Sequence, residues 1–152
     1  MSDLTRRRTV IVTLAIATAA WGCGDDPFEV IEEVEFAVAL GIDLSQMTKR
    51  PSGLYVQDLA EGTGDPAAVG QTAEVSYTGW LRSGFEFDSG QFPFTVGIGE
   101  VVAGFDEGVL GMKVGGVRKL VIPASLGYGA EGRGAVPPGA IMVFEVELVS
   151  LA

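Results

Sequence analysis

From Gly53 onward the chain alternates apolar and polar residues in short runs separated by glycine and proline turns. Ala73, Val75, Tyr77 and Gly79 share one face, and Thr72, Glu74, Ser76 and Thr78 the other, the period-two pattern of a half-buried strand. Leu54–Leu59, Phe92–Val96 and Arg118–Ile122 read the same way. A last strand opens at Ile141, with Met142, Phe144, Val146 and Leu148 on one side and Val143, Glu145 and Glu147 on the other. The segment AEGTGDP, Ala60–Pro66, supplies turn chemistry. One helical segment interrupts the strands, around Phe105–Leu110; Gly111 ends it and Gly115-Gly116 turns the chain back. The pattern predicts an α+β fold, an antiparallel sheet of about five strands wrapped around one short helix. Without a long second helix, a doubly wound parallel sheet is disfavoured.

Upstream the patterning changes twice. Val30, Val34, Ala37 and Gly41 recur at helical spacing, Asp26 suits an N-cap, Pro27 the first helical position and Glu29 a capping box. A helix is predicted over 27–40, read as a spacer that packs loosely on the domain in preference to a partner-binding helix. Further upstream, Arg6, Arg7 and Arg8 precede the apolar run Thr9–Gly22. Its 14 residues fall short of the roughly 20 that cross a bilayer, but suit the core of a signal peptide. Cys23, the sole cysteine, follows directly and has no partner for an internal disulfide. Its position resembles the lipobox of bacterial lipoproteins, in which the cysteine is lipidated and becomes the mature N-terminus. Ala20 and Trp21 stand where that pattern usually has Leu and a small residue. The expected organisation is a lipoprotein-type signal over 1–22, a tether with a short helix over 23–52, and a functional domain over 53–152. It implies export and lipid anchoring to a bacterial membrane, facing the periplasm or the exterior, with an ordinary secretory signal as the alternative.

Composition narrows the chemistry. With 152 residues, 47% hydrophobic and 20% charged, the chain fits one packed domain plus appendages. A net charge of −10 argues against nucleic acid as a partner and leaves a lipid as the means of holding a membrane. There is no histidine, the commonest general base and metal ligand, so chemistry without cofactor or metal is expected.

Gly127, Gly129 and Gly132 spell G-x-G-x-x-G, but a nucleotide-binding version of that pattern needs a helix opening at once. Gly134, Pro137 and Pro138 forbid one. What remains is a loop carrying Tyr128 and a Val-Pro-Pro turn, the rim of an apolar pocket.

Seven motifs then occur in order: Tyr77-Thr78-Gly79, Phe85-Glu86-Phe87-Asp88-Ser89, Gly104-Phe105-Asp106-Glu107-Gly108, Gly111-Met112-Lys113-Val114-Gly115, Gly127-Tyr128-Gly129, Val136-Pro137-Pro138 and Val143–Leu148. Over about Gly53–Ala152 the chain closely resembles the FKBP-type peptidyl-prolyl cis–trans isomerases, small bacterial members in particular. The resemblance implies proline-containing polypeptides as substrates, macrolides as inhibitors and a monomer. It makes Tyr77, Phe87, Val101, Val102, Phe105 and Phe144 the walls and floor that receive the proline ring. Phe92 becomes a further wall, with Phe94 competing for that place. Tyr128 would donate a hydroxyl hydrogen bond to a substrate carbonyl, Val136 a backbone N–H beside it, and Asp88 would be a buried carboxylate positioned by Tyr77. Taken singly, Phe144 and Val102 read as core and Asp88 as the start of a turn with Ser89-Gly90; the order of the motifs decides otherwise. Phe105 stands where many members have Trp, and the short Asp88–Phe92 segment lacks a basic residue found in some.

The chemistry suits a site without nucleophiles. Rotating an X-Pro bond crosses a barrier of about 18–20 kcal/mol by breaking amide conjugation, with no covalent bond made and no obligatory proton transfer. A dry pocket that binds the twisted amide better than either planar form lowers that barrier by about 1.4 kcal/mol for each tenfold in rate. The expected activity is prolyl isomerisation in the folding of exported proteins. The alternative is a membrane-tethered module that holds proline segments, or acts as a chaperone, without turnover.

Overall fold

The computed structural model describes residues 29–152. The predicted signal segment, Cys23 and the first residues of the lead-in lie outside them. Six strands form one antiparallel sheet: β1 (Thr48–Lys49), β2 (Tyr55–Ala60), β3 (Thr72–Leu81), β4 (Glu86–Thr95), β5 (Val117–Ile122) and β6 (Met142–Leu151). Their order across the sheet is β1-β2-β5-β6-β3-β4, with α1 (Ala103–Val109), the one α-helix among the described residues, laid on one face. The sixth strand beyond the predicted five is the two-residue β1, too short to show a period.

The alternating runs land as their pattern requires. Leu54, Val56, Ala73, Val75, Phe94, Leu120, Ile122, Met142, Phe144, Val146 and Leu148 project to the inner face and form the main core with Phe105 and Val109 of α1. Two glycines let the helix settle onto β5. A methyl group at Gly108 would lie 2.4 Å from Leu120 Cδ1, and one at Gly104 2.5 Å from Ile122 Cγ2. The C-terminal end of α1 is held by Arg118, whose buried guanidinium donates to the carbonyls of Gly108 (2.9 Å) and Leu110 (3.1 Å). Its Nε donates to Asp58 at 2.7 Å, fastening helix to sheet.

The outer face carries a second core in which Tyr55, Val121, Ile141 and Val143 meet Ile31, Leu40 and Met47. The segment from Glu29 to Met47 thus seals this side of the sheet, where a loose spacer was expected. It also does not form the helix predicted over 27–40. Its described part breaks into short 3-10 turns at Ile31–Glu33 and Val38–Leu40, with Val30 and Val34 extended. A continuous helix would present one stripe to the sheet, whereas this segment must drop Ile31 and Leu40 onto separate places. Its backbone is drawn outward too: the Ala37 N–H donates to the Arg82 carbonyl at 2.7 Å and the Glu29 N–H to the Gly139 carbonyl at 3.2 Å. Tertiary packing overrides a modest local propensity. The Gly41 cap is nonetheless present, at φ 60°.

Polar ties complete the seal. Glu32 pairs with Lys49 and accepts from the Tyr55 hydroxyl at 2.6 Å. These hydrogen bonds, that of Lys49 first, hold the Glu32 carboxyl down at about 2. Arg82 pairs with Glu29 at 2.6 Å, and the Lys119 ammonium donates to the Leu40 carbonyl at 2.6 Å.

Candidate active site

The inner face is not closed everywhere. Between the start of α1 and the adjoining ends of β3, β4 and β6 an aromatic cluster surrounds a cavity of about 380 Å³. Tyr77 comes from β3, Phe87 and Phe92 from β4, Phe105 from α1 and Phe144 from β6. The rings pack edge to face: Phe105 and Phe144 at 5.3 Å between centroids, Phe87 and Phe144 at 5.6 Å, Tyr77 and Phe92 at 5.3 Å. Gly79, opposite Phe144 in the sheet register, makes this possible, because a Cβ there would sit 2.7 Å from Phe144 and 2.8 Å from Phe87.

Asp88 lies within β4, paired with Gly79, so the turn suggested by Ser89-Gly90 does not form there. Its carboxylate accepts from the Tyr77 hydroxyl at 2.7 Å. Burial first, and then that hydrogen bond, push the Tyr77 phenol up to about 12, so it stays a donor at any physiological pH.

Val101 and Val102 form the lip leading into α1. That lip is braced by Asp106, a buried carboxylate accepting the N–H groups of Gly97 (2.5 Å) and Gly99 (3.0 Å), and by Glu100, which accepts the Thr95 N–H at 2.8 Å. Across the opening stands the loop 127–139. Gly129, Gly132 and Gly134 take positive φ there, and the Arg133–Val136 bridge and the Gly139 N–H to Gly129 carbonyl bond (2.9 Å) close the loop on itself. No helix follows the glycines, consistent with the rejection of a phosphate cradle.

The model of the FKBP-type peptidyl-prolyl cis–trans isomerase family matches residues 64–149. The chain belongs to this family. An FK506-binding protein of Neisseria meningitidis serogroup B is 50% identical over 105 residues, spanning 65% of this chain and 96% of its relative. The peptidyl-prolyl cis-trans isomerase FKBP15-3 of Arabidopsis thaliana is 42% identical over 120 residues, 74% of this chain and 84% of that protein. The crystal structure of AtFKBP13 superposes with a TM-score of 0.66 at 34% identity, covering 70% of this chain and 98% of the other. The open antiparallel sheet with one short helix is thus the FKBP fold, and the enzyme class is peptidyl-prolyl isomerase.

In this FKBP-type isomerase Tyr77, Phe87, Asp88, Phe92, Val101, Val102, Phe105, Tyr128 and Phe144 all line the same cavity. Phe94 does not: it is buried behind Phe92 and Phe105, at 5.6 and 5.8 Å from their rings. Two expectations are corrected. The Asp88 side chain is exposed, not buried, because its register position lies at the open margin of β4, the sheet's edge strand. Val136 is buried away from the cavity lining, and its N–H is already spent on the Arg133 carbonyl at 2.9 Å. Val102, at the N-cap of α1, also lines the cavity, and its N–H has no acceptor among the described residues, as helix geometry leaves the first N–H groups unpaired. The helix start near Phe105 was the signal that could have pointed to it. Two further lining residues, Glu100 and Arg133, escaped the sequence reading altogether. Among the described residues no cluster of His, Cys, Asp or Glu could hold a metal ion.

Proposed function

We propose that this chain is an exported prolyl isomerase that accepts the proline ring of a substrate in the aromatic cavity and twists the preceding amide there. The observation that carries this reading is the cavity itself, about 380 Å³ and walled by Tyr77, Phe87, Phe92, Phe105, Tyr128 and Phe144. That size falls within the range of about 300–1,000 Å³ typical of small-ligand sites, and its walls are apolar enough to desolvate a ring and its amide. On its lining, the Val102 N–H and the Tyr128 hydroxyl have no acceptor among the described residues and are available to substrate carbonyls.

The division of labour follows. The rings fix the proline, and the Val102 and Tyr128 donors hold the flanking backbone while the amide rotates. A twisted amide loses conjugation, its carbonyl oxygen sheds charge, and an apolar wall receives it better than water does. Asp88, oriented by the Tyr77 hydroxyl, sets the field at the opening. Differential binding of the twisted form is the whole of catalysis here. Export and anchoring are supported by the signal-like residues 1–22 and Cys23.

Exchange NMR on an Ala-Leu-Pro-Phe peptide with micromolar protein tests the activity, and a macrolide competitor tests its seat. Acceleration that the macrolide abolishes is expected; no acceleration overturns the reading. Mass spectrometry of the mature N-terminus tests the anchor: a lipidated Cys23 is expected, with Cys23→Ser releasing the protein from membranes. Retention of 1–22 contradicts export by this route.

A further inference from the structure

The cavity lining carries three charged side chains, Asp88, Glu100 and Arg133, and their circumstances differ. Asp88 is occupied by the Tyr77 hydroxyl at 2.7 Å and Glu100 by the Thr95 N–H at 2.8 Å. Arg133 has no ion pair and no side-chain hydrogen bond among the described residues, so its five N–H donors are unspent. Its guanidinium lies 5.8 Å from the centre of the Tyr128 ring, a cation–π contact that leaves the edges of the fork open. The backbone beneath it is fixed, since its N–H and carbonyl both bond to Val136 at 2.9 Å. A chain with a net charge of −10 has many acidic residues that could neutralise this arginine, yet leaves it open at the mouth of the site.

We infer that Arg133 is a specificity-determining residue that selects substrates with a carboxylate side chain directly flanking the proline. The inference rests on the reading of this cavity as the isomerisation site. A planar guanidinium with free edges matches a carboxylate in a bidentate fork, and its stack on Tyr128 places it beside the donor that faces the substrate backbone. The overall negative charge opposes acidic segments, but at physiological ionic strength it is screened beyond about 8 Å, whereas a pair in direct contact at the cavity mouth is screened less. The pair is solvent-accessible, so its effect is modest, about two- to fivefold in kcat/KM.

The test is a set of peptides with Glu, Gln or Lys in turn just before and just after the proline, assayed by exchange NMR at low and at 0.5 M salt. The wild type should favour Glu over Gln by about two- to fivefold in at least one series, less so in high salt. R133Q should bring that ratio to about one, and R133E should invert it in favour of Lys. Because each ratio is taken within one protein, a general loss of folded enzyme cancels. Equal Glu-to-Gln ratios in wild type and R133Q overturn the inference while leaving the cavity reading intact. No turnover with any peptide overturns both.

Discussion

The two faces of the sheet are covered with the same kinds of apolar residue and left in different states. On the outer face the lead-in segment brings Ile31, Leu40 and Met47 onto Tyr55, Val121 and Val143, and its borders are tied by Glu32, Arg82 and Lys119. On the inner face α1 covers the β5 side, while the aromatic rings of β3, β4 and β6 stay partly open around a cavity. The difference lies in what the covering element can reach. A seven-residue helix cannot span a sheet of this width, and the glycines that pull it onto β5 pull it away from β4. The uncovered aromatic surface lines the cavity of the proposed site.

Breaking the inner face should have the largest effect. Phe144 is 6% exposed and touches the rings of Tyr77, Phe87 and Phe105. Phe144→Ala should cost about 3–5 kcal/mol in chemical denaturation and remove activity as well, since core and pocket share this ring. The outer face should separate the two properties. Leu40→Ala is expected to lower stability by about 2–3 kcal/mol, with kcat/KM per folded molecule unchanged. A comparable drop in kcat/KM would mean that the faces are coupled.

Asp88→Val and Tyr77→Ala probe the site's polar edge. For Asp88→Val, loss of one accessible hydrogen bond should move stability by about 1 kcal/mol or less, while kcat/KM falls about tenfold or more, equivalent to about 1.4 kcal/mol of transition-state binding. Tyr77→Ala should also cut kcat/KM, with the fold surviving. Unchanged activity in both variants would place the site elsewhere.

The smallest effects are in pH dependence, and the two faces respond at opposite ends of the scale. Glu32 is held at about 2, below the usual 4.5, so its contribution is present above pH 4.5 and fades as pH falls toward 2. Tyr77 is raised from 10 to about 12, so its contribution is present below pH 10 and fades as pH rises toward 12. Glu32→Gln should flatten only the acid limb of a stability profile, and Tyr77→Phe only the alkaline limb. Glu32 is exposed and Tyr77 half-buried, so solvent screening keeps the changes small, the Glu32 change most of all.

Period-two alternation made the strands legible, because the inward residues of β3 and β6 had to be apolar to join the main core. The ordered motifs made most of the cavity legible, since they carried Tyr77, Phe87, Asp88, Tyr128 and Phe144 together. The lead-in was misread for the opposite reason: Val30, Val34 and Ala37 fit a helical stripe, but the surface that receives this segment is assembled from β2, β5 and β6, distant in sequence. Val136 was misassigned because whether an amide is free depends on how its loop closes, and the Arg133–Val136 bridge consumes it. Val102, at a helix start, has an N–H with no acceptor among the described residues. Asp88 was expected to be buried because the family resemblance implies it, yet it lies at an open margin.

The central claim is that the inner cavity, and not the sealed outer face, receives the proline segment. An NMR titration of isotope-labelled protein with an Ala-Leu-Pro-Phe peptide tests it directly. The account predicts shifts concentrated at Phe87, Val102, Tyr128 and Phe144, with Ile31, Leu40 and Val121 still. Shifts centred on the outer face, or none at saturating peptide, would contradict it.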